Sequence, residues 1–222
     1  LWPSRKSLES FIAMRESSPY TFWSQYMGDP TAVGTGLIKE DWMKYYDELP
    51  LADIIKTYMT ADTASTSRDY SDYSVICLWH ETRSKDLYLG DVTLGKWETP
   101  ELKAEIIRFW NEKNVFNYVH PCMIPTAMYM ENKSSGQYLN QQFTRDGNIR
   151  VLPVPRDKNA GDKVARFLNT VPYFAQGRIH LPKEHKHLHH VVREILSMTG
   201  QGSGTGHDDV CDNFSDACVI TY

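Results

Sequence analysis

The sequence predicts an α/β fold: a mixed sheet of three antiparallel strands followed by strand–helix crossovers, flanked by helices, with an N-terminal helical arm. Three observations carry this. First, the runs IIKTYMTADTA, YSVICLWHE and KDLYLGDVTLGKW have strand-like composition and are joined by polar segments short enough for antiparallel pairing. Second, two further apolar runs, IPTAMYMEN and IRVLPVP, alternate with segments of helical period, the pattern of crossovers in a mixed sheet. Third, 222 residues at 41% hydrophobic and 23% charged suffice for one globular domain with a sizeable core.

In chain order, residues 1–50 read as a helical arm or linker. Leu8, Phe11 and Ile12 share a helical face, aromatic residues follow in PYTFWSQYMGDP, and a VGTG turn (33–36) leads into IKEDWMKYY, with no strand alternation. The sheet domain is expected over residues 51–222. After its third strand, Thr99 suits an N-cap, Pro100 the first helical position, and Leu102, Ile106, Phe109 and Trp110 recur at helical spacing. SSGQYLNQQF is a second helix behind the fourth strand. Val164, Phe167, Leu168 and Val171 mark a third, RIHLP is extended, and Leu188, Val191, Val192, Ile195 and Leu196 mark a fourth. TGQGSGTG (199–206) reads as a flexible connector. The last helix starts near His207 and turns Val210, Phe214, Ala217 and Cys218 inward.

No run of about 18 apolar residues occurs, so no membrane span is expected, and no membrane is counted among the partners. The opening LWPSRKSLES lacks the apolar core of a signal peptide and the Arg-rich amphipathic pattern of a transit peptide, and reads as a cut inside a longer polypeptide. Four cysteines without a CxxC pair read as buried free thiols. A net charge of −4 does not advertise a nucleic-acid binder, yet leaves room for a local basic groove.

The carboxylates are the most informative residues. Asp62 closes the first strand, Glu131 closes the fourth, and Asp208–Asp209 opens the final helix. Singly, each has an ordinary use as turn former, helix cap or solvated charge. Jointly, they converge at one sheet edge if the first and fourth strands are neighbours. Such a set suits Mg²⁺ or Mn²⁺, which prefer carboxylate oxygens. Two such ions ~3.5–4 Å apart activate water and stabilise the leaving oxygen in phosphodiester cleavage.

Taken in order, ADTASTSRDYSDYSVICLW, YLGDVTLGKWETPELKAEIIRFW, MYMENKSSGQYL, DKVARFLNTVPYFAQGRIHLP and HDDVCDNFSDAC resemble the C-terminal nuclease region of the large terminase subunit of tailed bacteriophages. The resemblance implies a ribonuclease H-like fold and a divalent-metal-dependent endodeoxyribonuclease cutting concatemeric double-stranded DNA into genome units. It implies that Asp62 bridges two ions, that Glu131 is the second acid, and that the terminal acid is Asp208 or Asp209. Asp209 is favoured because Asp212 and Asp216 share its helical face at i+3 and i+7. Lys133 and Gly136 follow Glu131 as in the family pattern. Where the family often has a basic residue before GKW, Leu94 stands here. The opening fifty residues resemble the segment joining motor to nuclease; no GxxxxGK[ST] occurs, so the ATPase domain of the same polypeptide lies outside this chain. Implied partners are double-stranded DNA, that ATPase domain, the portal protein and the small terminase subunit. The implied location is the host cytoplasm rather than the mature virion.

Asp212, His207 and Asp91, the last read as ending the third strand, are candidates to lie behind the ligands. Lys133, Arg68 and Lys96 are the leading candidates for DNA phosphate contact, with Arg145, Arg150, Arg156, Lys158 and Lys163 in neighbouring segments. The HLPKEHKHLHH run spaces His185 and His189 at i, i+4, but nothing completes a zinc set, and the solvent face of a helix explains it. Two alternatives share features of this reading: a resolvase or ribonuclease H acting on branched or hybrid substrates, and a non-catalytic module docking on portal or procapsid.

Overall fold

The computed structural model describes residues 7–17, 22, 26, 36–63, 73–114, 120–131, 134–155, 161–204 and 207–222. Seven strands form one sheet: β1 (Lys44–Tyr46), β2 (Ile54–Asp62), β3 (Ser74–Thr82), β4 (Leu87–Gly95), β5 (Met128–Met130), β6 (Val151–Pro153) and β7 (Ile179–Pro182). Their order is β1-β7-β4-β3-β2-β5-β6. The β2–β3 and β3–β4 pairs are antiparallel, while β2–β5, β5–β6, β4–β7 and β1–β7 are parallel. The mixed sheet expected from sequence is therefore present, and the first and fourth expected strands, β2 and β5, are direct neighbours.

Seven helices accompany the sheet among the described residues: α1 (Leu8–Ser17), α2 (Thr99–Lys113), α3 (Ser134–Asp146), α4 (Lys163–Leu168), α5 (Val171–Ala175), α6 (Leu188–Ser197) and α7 (Asp209–Thr221). Alternation along the central strands divides their side chains between two cores. Tyr58, Val75, Cys77 and Trp79 pack with Phe167, Phe174, Val191, Ile195, Val210 and Phe214 on one face. Met59, Ala61, Ile76 and Leu78 pack with Leu102, Ile106, Phe109, Leu139 and Phe143 on the other. All four cysteines are free, with Cys77, Cys211 and Cys218 buried and Cys122 half-buried. Among the described residues no helix is long and apolar enough to cross a membrane.

Several local expectations are corrected. The opening fifty residues are not strand-free: β1 extends the sheet at one edge, and Leu37, Ile38 and Met43 are buried in its core. Three residues are too few to show a period. Helix α2 takes Glu98 as its N-cap rather than Thr99, and Glu101 reaches back to accept from the Glu98 N–H at 3.1 Å. The single helix expected through Val164 and Val171 is two, α4 and α5. Pro172 has no N–H for the carbonyl four residues earlier, so the first helix ends and the second begins with proline in its opening turn. The glycine-rich connector contains a small hairpin, β8 (Met198–Thr199) paired with β9 (Gly202–Ser203). Gly202 supplies the positive φ (116°) that the turn requires. Asp91 does not end its strand; β4 runs on to Gly95.

Candidate active site at the end of the central strands

Strand periodicity decides which face Asp62 joins. Tyr58 and Thr60 lie on the face covered by α7, and Asp62 is the next residue of that phase. Several contacts fix α7 above them. The Tyr58 hydroxyl donates to the Ala217 carbonyl at 3.0 Å and pairs with the Thr221 hydroxyl at 2.7 Å. Trp79 donates from Nε1 to Thr60 at 2.8 Å and meets the Phe214 ring edge-on at 4.8 Å. Asn213 Nδ2 donates to the Val75 carbonyl at 3.1 Å.

With α7 held in this rotation, Asp209, Asp212 and Asp216 are buried at 4%, 5% and 2% exposure. Asp62 is partly buried, and its pKa is pushed well above the carboxylate range. Burial is the first cause; the Asp212, Asp209 and Asp216 carboxylates follow, and Lys163 acts in the opposite direction. Four carboxylates from β2 and α7 are thus in mutual electrostatic reach. Glu131 stands one residue beyond β5. The parallel register Thr60↔Tyr129 and Ala61↔Met130, continued by one residue, sets it beside Asp62. Tyr129 meets Tyr58 edge-on at 5.6 Å, so this phase of β5 also faces α7.

Cations and amides partly offset this charge. Lys163 Nζ donates to Asp208 Oδ1 at 2.6 Å and lies 3.3 Å from Asp212 Oδ2. Burial acts to lower the Lys163 pKa, but Asp208, Asp212 and Asp62 outweigh it and hold the ammonium charged. Arg166 Nη2 donates to Asp212 Oδ1 at 2.6 Å. The Tyr73 N–H donates to Asp209 Oδ2 at 2.9 Å. At the start of α7, Asp208 occupies the N-cap position without a side-chain cap bond. Glu194 of α6 supplies the cap instead: its Oε1 accepts from the Val210 and Cys211 N–H groups at 2.7 and 3.2 Å. Burial, first, and then Asp208 and Asp212 push the Glu194 pKa up to about 7, against the two amide bonds.

Beside this cluster is a cavity of about 320 Å³ lined by Tyr73, His190, Arg193, Glu194 and His207. The His207 ring meets Tyr73 edge-on at 5.3 Å, placing this residue next to the Asp209 amide contact.

The donor set fits a hard divalent ion chemically: the converging groups are carboxylates, and their collective charge is costly without a counter-ion. Among the described residues no three His, Cys, Asp or Glu side chains already form a group able to hold an ion. Asp208 and Asp212 direct carboxylate oxygens to Lys163 and Arg166 of α4.

Asp91 does not join the cluster. It lies mid-strand, level with Leu78, bonded to Lys113, to His185 Nε2 (2.9 Å) and to the Val92 N–H (2.7 Å). Burial raises its pKa, but Lys113 and His185 reverse that and hold it low. His185 precedes α6 rather than riding on it, so the His185–His189 pair has no common helix. Lys96 stays near the centre, with its ammonium 5.2 Å from the Tyr73 ring centroid. Arg68 and Lys133, with Arg156 and Lys158, lie outside the described residues. Sequence reasoning missed Arg166, Glu194 and Tyr73, whose roles depend on packing between segments distant in the chain.

Comparison with known proteins gives one family model and several solved structures of similar fold. A family model described as the terminase RNaseH-like domain matches residues 59–219. The large terminase of a thermophilic bacteriophage superposes with a TM-score of 0.65 at 12% identity, covering 96% of this chain and 52% of that one. The P22 large terminase nuclease domain gives 0.54 at 16% identity, covering 82% and 89%. The human cytomegalovirus terminase nuclease domain, Mn-soaked and inhibitor-bound, gives 0.54 at 15% identity, covering 83% and 95%. The chain thus spans about half the length of the thermophilic phage terminase. Comparison with curated proteins gives no match.

Proposed function

The chain belongs to the terminase RNaseH-like domain family, and from that premise we propose that it is a two-metal-ion endonuclease cutting concatemeric double-stranded DNA during viral genome packaging. The observation that carries this reading is the buried carboxylate group of Asp62 with Asp209, Asp212 and Asp216, which folding energetics alone disfavours. The Mn-soaked cytomegalovirus nuclease domain supports a divalent ion, and the carboxylate donors suit Mg²⁺ or Mn²⁺. When bound, such ions supply an activated water and a counter-charge for the departing 3′ oxygen.

The residues divide the work. Asp62 is the shared ligand, because both the α7 acids and the Glu131 position approach it. Asp209 is the favoured third ligand over Asp208. Its side chain is buried and acts on Asp62, whereas Asp208 points to Lys163 and keeps 24% of its side chain exposed. Asp212 orients α7 through Arg166 rather than serving as a first-choice ligand. The Tyr73 N–H fixes one oxygen of Asp209, and Lys96, over the Tyr73 ring beside it, is the proposed contact for a DNA phosphate. The proposed partners are double-stranded DNA, an ATPase domain of the same polypeptide, the portal protein and the small terminase subunit. The proposed place of action is the host cytoplasm.

Substrate choice tests the reading. In Mn²⁺, linear duplex should be cut at least as fast as a four-way junction or an RNA–DNA hybrid. A strong preference for the junction or the hybrid would favour a resolvase or ribonuclease H instead. Binding of Mn²⁺ without cleavage of any of the three would favour a docking module.

A further inference from the structure

Helix α4 carries two cations toward the acidic centre, and the structure treats them differently. Asp162 caps the helix by accepting from the Ala165 N–H at 2.9 Å, and Phe167 is fully buried in the core shared with α7. The backbone bearing Lys163 and Arg166 is therefore anchored. Arg166 is fixed as well: its side chain is 15% exposed and bonds the 7%-exposed Asp212. Lys163 is not enclosed. Its side chain is 45% exposed, and its flexible stem can swing to solvent without disturbing the core. Yet its ammonium sits between Asp208 Oδ1 (2.6 Å) and Asp212 Oδ2 (3.3 Å), with its charge also felt at Asp62.

We propose that Lys163 is a tethered counter-ion of the ion-free centre, offsetting at Asp208 and Asp212 part of the negative charge that draws divalent ions to the neighbouring Asp62 and Asp209, and so setting the ion concentration at which the site fills. The inference rests on the metal-dependent reading above. A monovalent ammonium on a fixed helix lowers the repulsion among Asp62, Asp208, Asp209 and Asp212 while no ion is bound. A divalent ion at Asp62 offers twice the charge, and its field weakens the hold of Asp208 and Asp212 on the ammonium. Arg166 stays in place and keeps α7 oriented. The ion-free centre is thereby kept intact but weakly receptive.

The test is Mn²⁺ binding by isothermal titration, read beside thermal unfolding with and without Mn²⁺, for the wild-type chain, Lys163→Met and Lys163→Arg. Lys163→Met should bind Mn²⁺ about tenfold more tightly, as expected for loss of a competing charge worth about one pKa unit. It should also melt at a lower temperature without Mn²⁺ and gain more from Mn²⁺ than wild type. Lys163→Arg should retain wild-type behaviour. A Lys163→Met variant that folds only when Mn²⁺ is present would support the same conclusion. Unchanged or weaker Mn²⁺ binding by Lys163→Met, alongside a wild-type chain that binds, would overturn this role alone. A wild-type chain that binds no Mn²⁺ would overturn both this role and the metal-dependent reading.

Discussion

Asp62→Asn is expected to lower Mn²⁺-dependent cleavage of double-stranded DNA by at least roughly 10²-fold and, in ion-free buffer at pH 8, to raise the thermal midpoint. The two effects have one cause. Burial and the three α7 carboxylates push the Asp62 pKa up, so ionising it costs folding free energy. The folded-state pKa exceeds the unfolded one, so this cost is absent below the ordinary carboxylate range and grows as pH rises toward the folded pKa. Asparagine fills nearly the same volume and never ionises. It therefore avoids the cost while removing the ligand that both proposed ions share. An ordinary turn-forming aspartate would show neither effect. Plasmid cleavage and circular-dichroism melting at pH 8 check the pair; full activity, or a lowered midpoint, would sink the role assigned to Asp62.

Glu194→Gln should become more stable than wild type as pH rises from about 4.5 to about 7. The Glu194 pKa is pushed from 4.5 to about 7, chiefly by burial. Between those values the folded state holds a proton that the unfolded state has lost, so wild-type stability falls with pH across that window and levels off above it. The gap corresponds to about 3 kcal/mol, and roughly 1–3 kcal/mol is the expected gain. Glutamine keeps an acceptor oxygen for the Val210 and Cys211 N–H groups, so the cap on α7 survives. His80 works in the opposite sense. Burial, and then Lys113, bring its pKa down from 6.5 to about 4, so it adds stability as pH rises between those values. In the wild type the two contributions largely cancel, and Glu194→Gln should expose the rising His80 limb. Urea unfolding of both chains from pH 4 to 8 measures the difference. Parallel stability curves would show that Glu194 ionises as an exposed glutamate does.

The parts of this molecule that the sequence made legible are those with periodic or terminal signals. Strand-like composition in IIKTYMTAD and SVICLWHET identified two central strands and set Asp62 at the end of the first; that their faces go to two different cores, with Asp62 on the side of α7, emerged only from the packing. The i, i+3, i+7 spacing of Asp209, Asp212 and Asp216 anticipated three acids turned to one side of a helix, and all three are buried over Asp62. What stayed hidden has no such trace. Strand β1 spans three residues, less than two full alternations. The Lys163–Asp208 and Arg166–Asp212 pairs join residues more than forty positions apart, and only the docking of α4 on α7 makes them neighbours. Glu194 caps a helix other than its own, whereas sequence signals for caps are local. Asp91 shows the converse error: an acid near an expected strand end is held mid-strand by Lys113 and His185, whose approach no spacing foretells.

Anomalous scattering from a Mn²⁺-soaked crystal of this chain tests the central claim most directly. Two peaks should appear at the Asp62 carboxylate, one shared with Asp209 and the other with Glu131, with the Lys163 ammonium displaced from between Asp208 and Asp212. A map without Mn²⁺ at Asp62, or with ions confined to the His190–His207 cavity, would contradict it.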